Sequence, residues 1–230
     1  MAGAPDRLEQ HRKEAADQSR GMSSNVIYET FLRIIRAKQF RGRVLDYGAG
    51  AGELTRLLLQ SGSFEKVAAA DLMAPPPDLA NKIDWIQQDL NESIRERDGD
   101  FHLVVAAEVI EHLENPRSMI RDLFRLLRKG GTAILSTPNN ESWRSILALL
   151  VRGHFAAFTD SSYPAHITAL VRRDLTRIFA EAGFVGTQFH YTESGGLPGS
   201  PAVTWQQVSF GMLQGRRFSD NIIAIAEKPK

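Results

Sequence analysis

The run Glu108-Val-Ile-Glu-His-Leu113 sets two carboxylates and an imidazole at positions i, i+3 and i+4. On a helical turn those three side chains share one face. Histidine beside carboxylate can take a proton from a nucleophile, and the same set can also ligate a divalent cation. His166 lies far along the chain and can join the set only through tertiary folding. In one reading Glu108, Glu111, His112 and His166 hold a metal such as Mg²⁺. In a second, metal-free reading His112 or His166 is the catalytic base and Glu111 supports it. In a third the histidines only pack the turn. His154 reads as a surface or loop residue, His190 as a strand residue, and His11 and His102 have no acidic partner at a telling spacing.

A second chemical signal is Val44-Leu-Asp-Tyr-Gly-Ala-Gly-Ala-Gly-Glu53. It reads as an apolar strand, a turn with three alternate glycines, and the start of a helix. Such a turn lets the backbone approach a ligand closely, and in an open parallel sheet it lies at the carboxyl edge where ligands bind. Asp71 follows about twenty residues on, at the end of the next strand, where a carboxylate can accept both hydroxyls of a ribose. Asp89, in Gln88-Asp89-Leu90, follows the third strand and suits an adenine amino group. A nicotinamide dinucleotide fits less well: its fingerprint spaces the glycines as G-x-G-x-x-G. Here the third glycine comes one position early, and Glu53 places a carboxylate where a pyrophosphate would sit.

The elements that must position these groups alternate. Strands are expected at 43–47, 66–71, 83–87, 101–107 and 132–136, with helices at 53–60 and 116–128 between them. Gly130-Gly131 ends the second of these helices, and the near-unbroken apolar run Phe101–Ala107 reads as a strand covered on both faces. Repeated β-α units imply a parallel sheet with right-handed crossovers. A further helix at 172–182 and strands at 184–191 and 221–226 complete a seven-stranded, mostly parallel α/β sheet. Residues 1–20 read as a frayed helix or tail, followed by an amphipathic helix from Asn25. The division expected is an N-terminal helical extension, 1–41, and a main domain, 42–230. Two long connections, about 138–170 and 192–218, break the rhythm and read as insertions over the ligand side. Trp143, Phe155, Phe158 and Tyr163 in the first could line an apolar acceptor pocket or pack the insertion onto the sheet.

Leu45-Asp-Tyr-Gly-Ala-Gly-Ala-Gly52 resembles the first motif of class I S-adenosylmethionine-dependent methyltransferases. Asp71 matches that family's ribose acid, Gln88-Asp89-Leu90 its adenine-contacting motif, Glu108–Leu113 the segment after its fourth strand, and Leu127–Gly131 the turn before its fifth. The resemblance is strong over about 42–137 and is most similar to ubiquinone-biosynthesis-type O-methyltransferases of small molecules. It implies a Rossmann-like fold and S-adenosylmethionine as cofactor. The cofactor would be held by Asp46, Tyr47, Gly48, Ala49, Gly50, Gly52, Asp71, Leu72, Gln88, Asp89, Leu90 and Glu108. The reaction expected is methylation of a phenol, quinol or sugar hydroxyl. The Glu-x-x-Glu-His pattern with a later His also resembles metal-dependent members, including RNA 2′-O-methyltransferases. A cofactor-binding interaction module without activity is the alternative from a different class.

Composition narrows the field. Lys+Arg 28 against Asp+Glu 27 gives no basic excess for a nucleic-acid coat. The arginines of the insertions do not interleave with aromatics as a nucleic-acid stripe would. Zero cysteines exclude thiolate nucleophiles, disulfides and iron–sulfur clusters. No apolar run is long enough to span a bilayer, and the charged N-terminus lacks the apolar core of a secretory signal. A cytoplasmic monomer or homodimer acting on a small-molecule acceptor is the expectation.

Overall fold

The computed structural model describes residues 12–14, 21, 23–95 and 97–230. Helix α1 (Asn25–Lys38) buries Ile27, Phe31, Ile34 and Ile35 along one face. Strand β1 (Arg43–Tyr47) leads into helix α2 (Glu53–Gln60), and strands β2 (Lys66–Asp71), β3 (Asp84–Gln87) and β4 (Phe101–Ala107) follow. A one-turn 3-10 helix spans Ile110–His112. Helix α3 (Pro116–Leu126) starts with proline at its first position, and the Asn115 side chain accepts the Ser118 N–H as its cap. Strand β5 (Leu127–Pro138), helix α4 (Trp143–Arg152), helix α5 (Arg172–Ala182) and strand β6 (Val185–Tyr191) come next. The small hairpin β7 (Gly196–Leu197) and β8 (Ser200–Thr204), the short helix α6 (Trp205–Val208) and strand β9 (Asn221–Glu227) complete the chain.

The main sheet has seven strands in the order β3-β2-β1-β4-β5-β9-β6. The pairs from β3 through β5 are parallel, and β9 runs antiparallel to both β5 and β6. This is the α/β architecture expected from the alternating pattern. One core lies between the sheet and α3 and α5, around Leu45, Val104, Ile120, Leu123 and Phe179. A second lies between the other face and α1 and α2, around Phe31, Val44, Leu58, Leu103 and Ile134. Strand order reverses between β1 and β4, so the carboxyl ends of those two strands flank the crevice where such sheets bind ligands.

Three expectations need correction. Helix α3 ends at Leu126 and not at Arg128, and β5 begins at Leu127 and not at Thr132. Leu127 is fully buried opposite Phe101, and the register then jumps from that pair to Leu103 opposite Thr132. Gly130, with φ +72°, sits in the resulting bulge. The glycine pair therefore bends a strand and does not stop a helix. The insertion after β5 also contains a regular helix, α4, capped by Ser142 and closed by Gly153 at φ +80°. Its apolar residues form one unbroken run, Ile146–Val151, which by periodicity alone reads as strand or helix, and Leu150 and Val151 remain exposed. The second insertion is likewise partly regular, holding the β7–β8 hairpin and α6. Of the expected N-terminal frayed helix, Arg12–Glu14 form a helical turn, and the other residues of 1–20 lie outside the described residues.

Candidate active site

A cavity of about 570 Å³ opens at the carboxyl ends of β1, β2 and β4. It is lined by parts of both chemical signals: Asp46, Gly48, Ala49, Gly50, Asp71, Leu72, Asp89 and Leu90 from one, and Glu108, His112 and His166 from the other. Tyr47, Gly52, Gln88 and Glu111 stand behind that surface. The Tyr47 hydroxyl donates to the Leu90 carbonyl at 3.3 Å.

The glycine loop is held by the chain itself. The N–H groups of Gly48 and Ala49 both donate to the Ala70 carbonyl, at 2.8 and 3.1 Å. Gly48, at φ +81°, has no room for a Cβ beside Val109, and Gly50, at φ +50°, has none beside the Gly21 backbone. The loop thus has a packing reason for glycine at two positions. Asp71 is pre-oriented: one carboxylate oxygen accepts the Gly50 N–H at 2.7 Å and the other the Met73 N–H at 2.8 Å. Asp46 is buried, and its carboxylate accepts the Thr55 hydroxyl at 2.6 Å. Burial pushes the Asp46 carboxyl up to about 7, against the pull of the Thr55 hydrogen bond.

At the other end, Glu108 adopts φ +55°, a left-handed backbone unusual for a non-glycine residue. Ser136 stabilises it twice: its Oγ accepts the Glu108 N–H at 3.0 Å and donates to Glu108 Oε1 at 2.8 Å. Asn221, at the start of β9, donates to Oε2 at 2.9 Å. Glu111 is completely buried, and neither of its carboxylate oxygens has a hydrogen-bond partner among the described residues. Burial first, and then the neighbouring Glu108 charge, push the Glu111 carboxyl well above the usual carboxylate range.

The two histidines are placed alike. His112 Nδ1 lies 2.8 Å from the Ala165 carbonyl, and His166 Nδ1 lies 2.7 Å from the Ala157 carbonyl. A carbonyl can only accept, so each Nδ1 carries a proton and Nε2 is the nitrogen left to face another partner. Burial holds His112 down to about 4, helped by the nearby His166 and opposed by the bond to Ala165. It is therefore a neutral imidazole at neutral pH. The rings stand 4.9 Å apart, edge to face. Glu111, His112 and His166 each offer a ligand atom within 4.8 Å of the others, and Glu108 stands outside this group with both oxygens engaged.

Of the four aromatics of the first insertion, Tyr163 lines the cavity. Phe158 packs against the His166 ring at 5.5 Å, and Trp143 lies under the Arg217 guanidinium at 5.1 Å. Neither they nor Phe155 are among the lining residues. Sequence reasoning passed over Ser136, Asn221, Tyr28 and Arg12. Asn221 is separated from Glu108 by 113 residues and starts an ordinary apolar strand, so nothing local marks it. Arg12 sits in a charged stretch without periodicity.

Residues 14–188 match the model of a family described as "Methyltransferase domain". The ubiquinone biosynthesis O-methyltransferase of Erwinia tasmaniensis is 29% identical over 119 residues, 48% of this chain and 48% of that protein. The chain therefore spans about half the length of the curated relatives it matches. Among solved structures, a SAM-dependent methyltransferase from Archaeoglobus fulgidus superposes with TM-score 0.64 at 18% identity, over 92% of this chain and 97% of that one. The Burkholderia thailandensis 1,6-didemethyltoxoflavin-N1-methyltransferase, solved with 1,6-didemethyltoxoflavin and S-adenosylhomocysteine, gives TM-score 0.64 at 14% identity, over 100% and 93% of the two chains. At those identities the likeness is one of fold. Among the described residues no helix is long and apolar enough to cross a membrane.

Proposed function

The chain belongs to the methyltransferase domain family, and from that premise we propose that it methylates a hydroxyl of a small molecule, such as a phenol, quinol or sugar, using S-adenosylmethionine. The observation that carries this reading is a single cavity with an oriented carboxylate at one end and two imidazoles at the other. Bound S-adenosylmethionine supplies an activated methyl group on a sulfonium centre, ready for in-line displacement.

The residues fit that cofactor. Asp71 presents a carboxylate fixed by two backbone amides, suited to the paired hydroxyls of a ribose. Leu72, Met73 and Leu90 give apolar walls for a flat base, and Asp89 can accept from its amino group. Asp46, Glu108 and the glycine loop surround the place left for a cationic amino acid portion. Positioning the two reactants is most of what the protein must contribute.

The acceptor hydroxyl must lose a proton. His112 is neutral at neutral pH, and both His112 and His166 can present Nε2 to it while Nδ1 faces a backbone carbonyl. Three features favour a divalent cation over a metal-free base. Glu111 has an orphaned carboxylate, each Nε2 is the nitrogen left for another partner, and each Nδ1–H is fixed on a backbone carbonyl as metal-ligating histidines usually are. Glu111, His112 and His166 would hold the ion, leaving positions open for the acceptor. The ion would supply Lewis-acid activation, lowering the pKa of the acceptor hydroxyl.

The test is S-adenosylhomocysteine release from a panel of catechols, quinols and glycosides, with and without chelator. Turnover that chelator abolishes and Mn²⁺ or Mg²⁺ restores supports the metal form. Turnover indifferent to chelator but lost in His112→Ala leaves the metal-free base. Full turnover in a His112→Ala, His166→Ala double variant overturns both.

A further inference from the structure

Apolar side chains stand in solvent on both insertions. The tip of the second, residues 208–212, carries Val208, Phe210 and Met212, and the last two keep 94% and 79% of their exposure. Phe210 does so at φ +53°, a left-handed backbone that is costly for a bulky residue. The tip is not a loose end. The Gly211 N–H donates to the Gln206 carbonyl at 2.8 Å, the Met212 N–H to the Ser209 carbonyl at 3.1 Å, and the Leu213 N–H to the Ser209 hydroxyl at 3.0 Å. The Gln206 side chain in turn donates to the Leu213 and Phe218 carbonyls at 2.8 Å each. A fixed backbone thus holds a phenyl ring and a thioether out in water, against the hydrophobic effect.

Helix α4 in the first insertion is turned the same way. Trp143, Leu147, Leu150 and Val151 recur at i, i+4, i+7 and i+8, which places them in one stripe. That stripe faces solvent, with Leu150 and Val151 76% and 80% exposed, while Ser145 is the residue the helix buries. The two insertions meet at the start of α4, where the Trp143 N–H donates to the Arg217 carbonyl at 2.9 Å and the Arg217 guanidinium lies over the Trp143 ring. Both rise from the carboxyl edge of the sheet, where the cavity opens, because β5 and β6 end there and β9 begins there.

Charge decides what covers these side chains. Residues 142–159 and 194–219 hold no acidic residue, in a chain with 27 of them, and their formally charged side chains are Arg144, Arg152, Arg216 and Arg217. Asp220 holds Arg144, and Arg217 donates to the Glu141 carbonyl. Arg152 is exposed at the end of α4, and Arg216 stands 3.7 Å from the Glu141 carboxylate. A second copy of this surface would set arginine against arginine. Anionic lipid suits it: headgroup phosphates accept from guanidinium, and exposed apolar side chains enter the acyl boundary. We propose that the 208–212 tip and the α4 stripe form a docking surface for an anionic lipid membrane, on which the protein lies without spanning it. Docking of this kind is independent of the reaction assigned to the cavity.

The experiment is co-sedimentation of the full chain with vesicles of phosphatidylcholine alone, and of phosphatidylcholine and phosphatidylglycerol in equal parts. The wild-type chain should bind the anionic vesicles more tightly, and added salt should weaken that binding. Phe210→Ser with Met212→Ser should lower partition onto anionic vesicles about 10-fold or more, through lost apolar burial. Leu150→Ser with Val151→Ser should act in the same direction. Arg152→Gln with Arg216→Gln should lower partition onto anionic vesicles about 10-fold and reduce its salt dependence. These side chains are exposed, so melting temperatures should stay close to that of the wild type. No binding of the wild-type chain to either vesicle, equal binding to both, or unchanged binding in the Phe210 and Met212 variant overturns the proposal. A dimer in analytical ultracentrifugation that Phe210→Ser disperses, with no vesicle binding, would give the surface to a second copy and overturn it too.

Discussion

Asp46 holds its carboxylate at the buried end of β1 against a single hydroxyl, that of Thr55. Burial pushes its pKa up to about 7, above the ordinary 3.8. The folded chain thus binds this proton more tightly than the unfolded chain, and the stabilisation so gained is full below about 4 and is lost as pH rises to about 7. Asp46→Asn keeps an acceptor for Thr55 and removes the titration. In the cofactor-free protein its stability relative to wild type should grow across pH 4 to 7 and level off above. Denaturant midpoints measured at several pH values check this, and parallel pH profiles for the two proteins would contradict it. Glu108 makes a different demand. Its left-handed backbone and both carboxylate oxygens depend on Ser136 and Asn221. Asn221→Ala should remove one hydrogen bond to a half-buried carboxylate and cost about 1 kcal/mol of stability. Guanidinium titration of that variant reads the loss directly.

The helices that carry the site depend on local chemistry at their ends. Asn115 caps α3 two residues after Leu113, where the 3-10 turn bearing Glu111 and His112 has just ended. Asn115→Ala should cost about 1 kcal/mol, and Asn115→Asp should recover most of it. The melting temperatures of the two variants should rank in that order. The first insertion is tied to the same turn, because the Ile167 and Thr168 N–H groups both donate to the Glu111 carbonyl at 3.0 Å. These amides should exchange more slowly than that of the exposed Gly153. If the proposed function holds, acceptor binding should slow exchange across 155–168 further, and equal protection in both states would mark the insertion as a fixed wall. The elements also show what the sequence could reveal. Strands β1, β2 and β4 were legible because each is a short apolar run bounded by polar residues or glycine. Helix α4 was not, because its apolar residues are consecutive from Ile146 to Val151, so no 3.6-residue period shows, and several remain exposed. The start of β5 was misread because glycines that end a helix and glycines that bend a strand look alike until Leu127 is seen buried opposite Phe101.

At the scale of the molecule, one crevice at the β1–β4 reversal gathers residues from positions 12 to 221. That Asp46, the glycine loop, Asp71 and Asp89 meet at one cavity was legible because they follow successive strands in chain order. The helical spacing of Glu108, Glu111 and His112 is not realised, because Glu108 lies outside the 3-10 turn Ile110–His112 at φ +55° and Glu111 and His112 are adjacent in the chain. The approach of His166, the clamp by Asn221 and the place of Arg12 in the cavity wall are tertiary events without local signal. Of the four aromatics Tyr163 alone lines the cavity, while Phe158 backs the His166 ring and Trp143 lies under Arg217. The central claim is that this crevice binds S-adenosylmethionine through Asp71. Calorimetric titration tests it most directly. The account predicts one-to-one binding of S-adenosylmethionine, no heat from NAD, and affinity lowered on the order of 10-fold or more in a folded Asp71→Ala variant, the loss of a fixed hydrogen-bond acceptor being about 1–3 kcal/mol. No binding to the wild-type chain, or unchanged affinity in the variant, would contradict it.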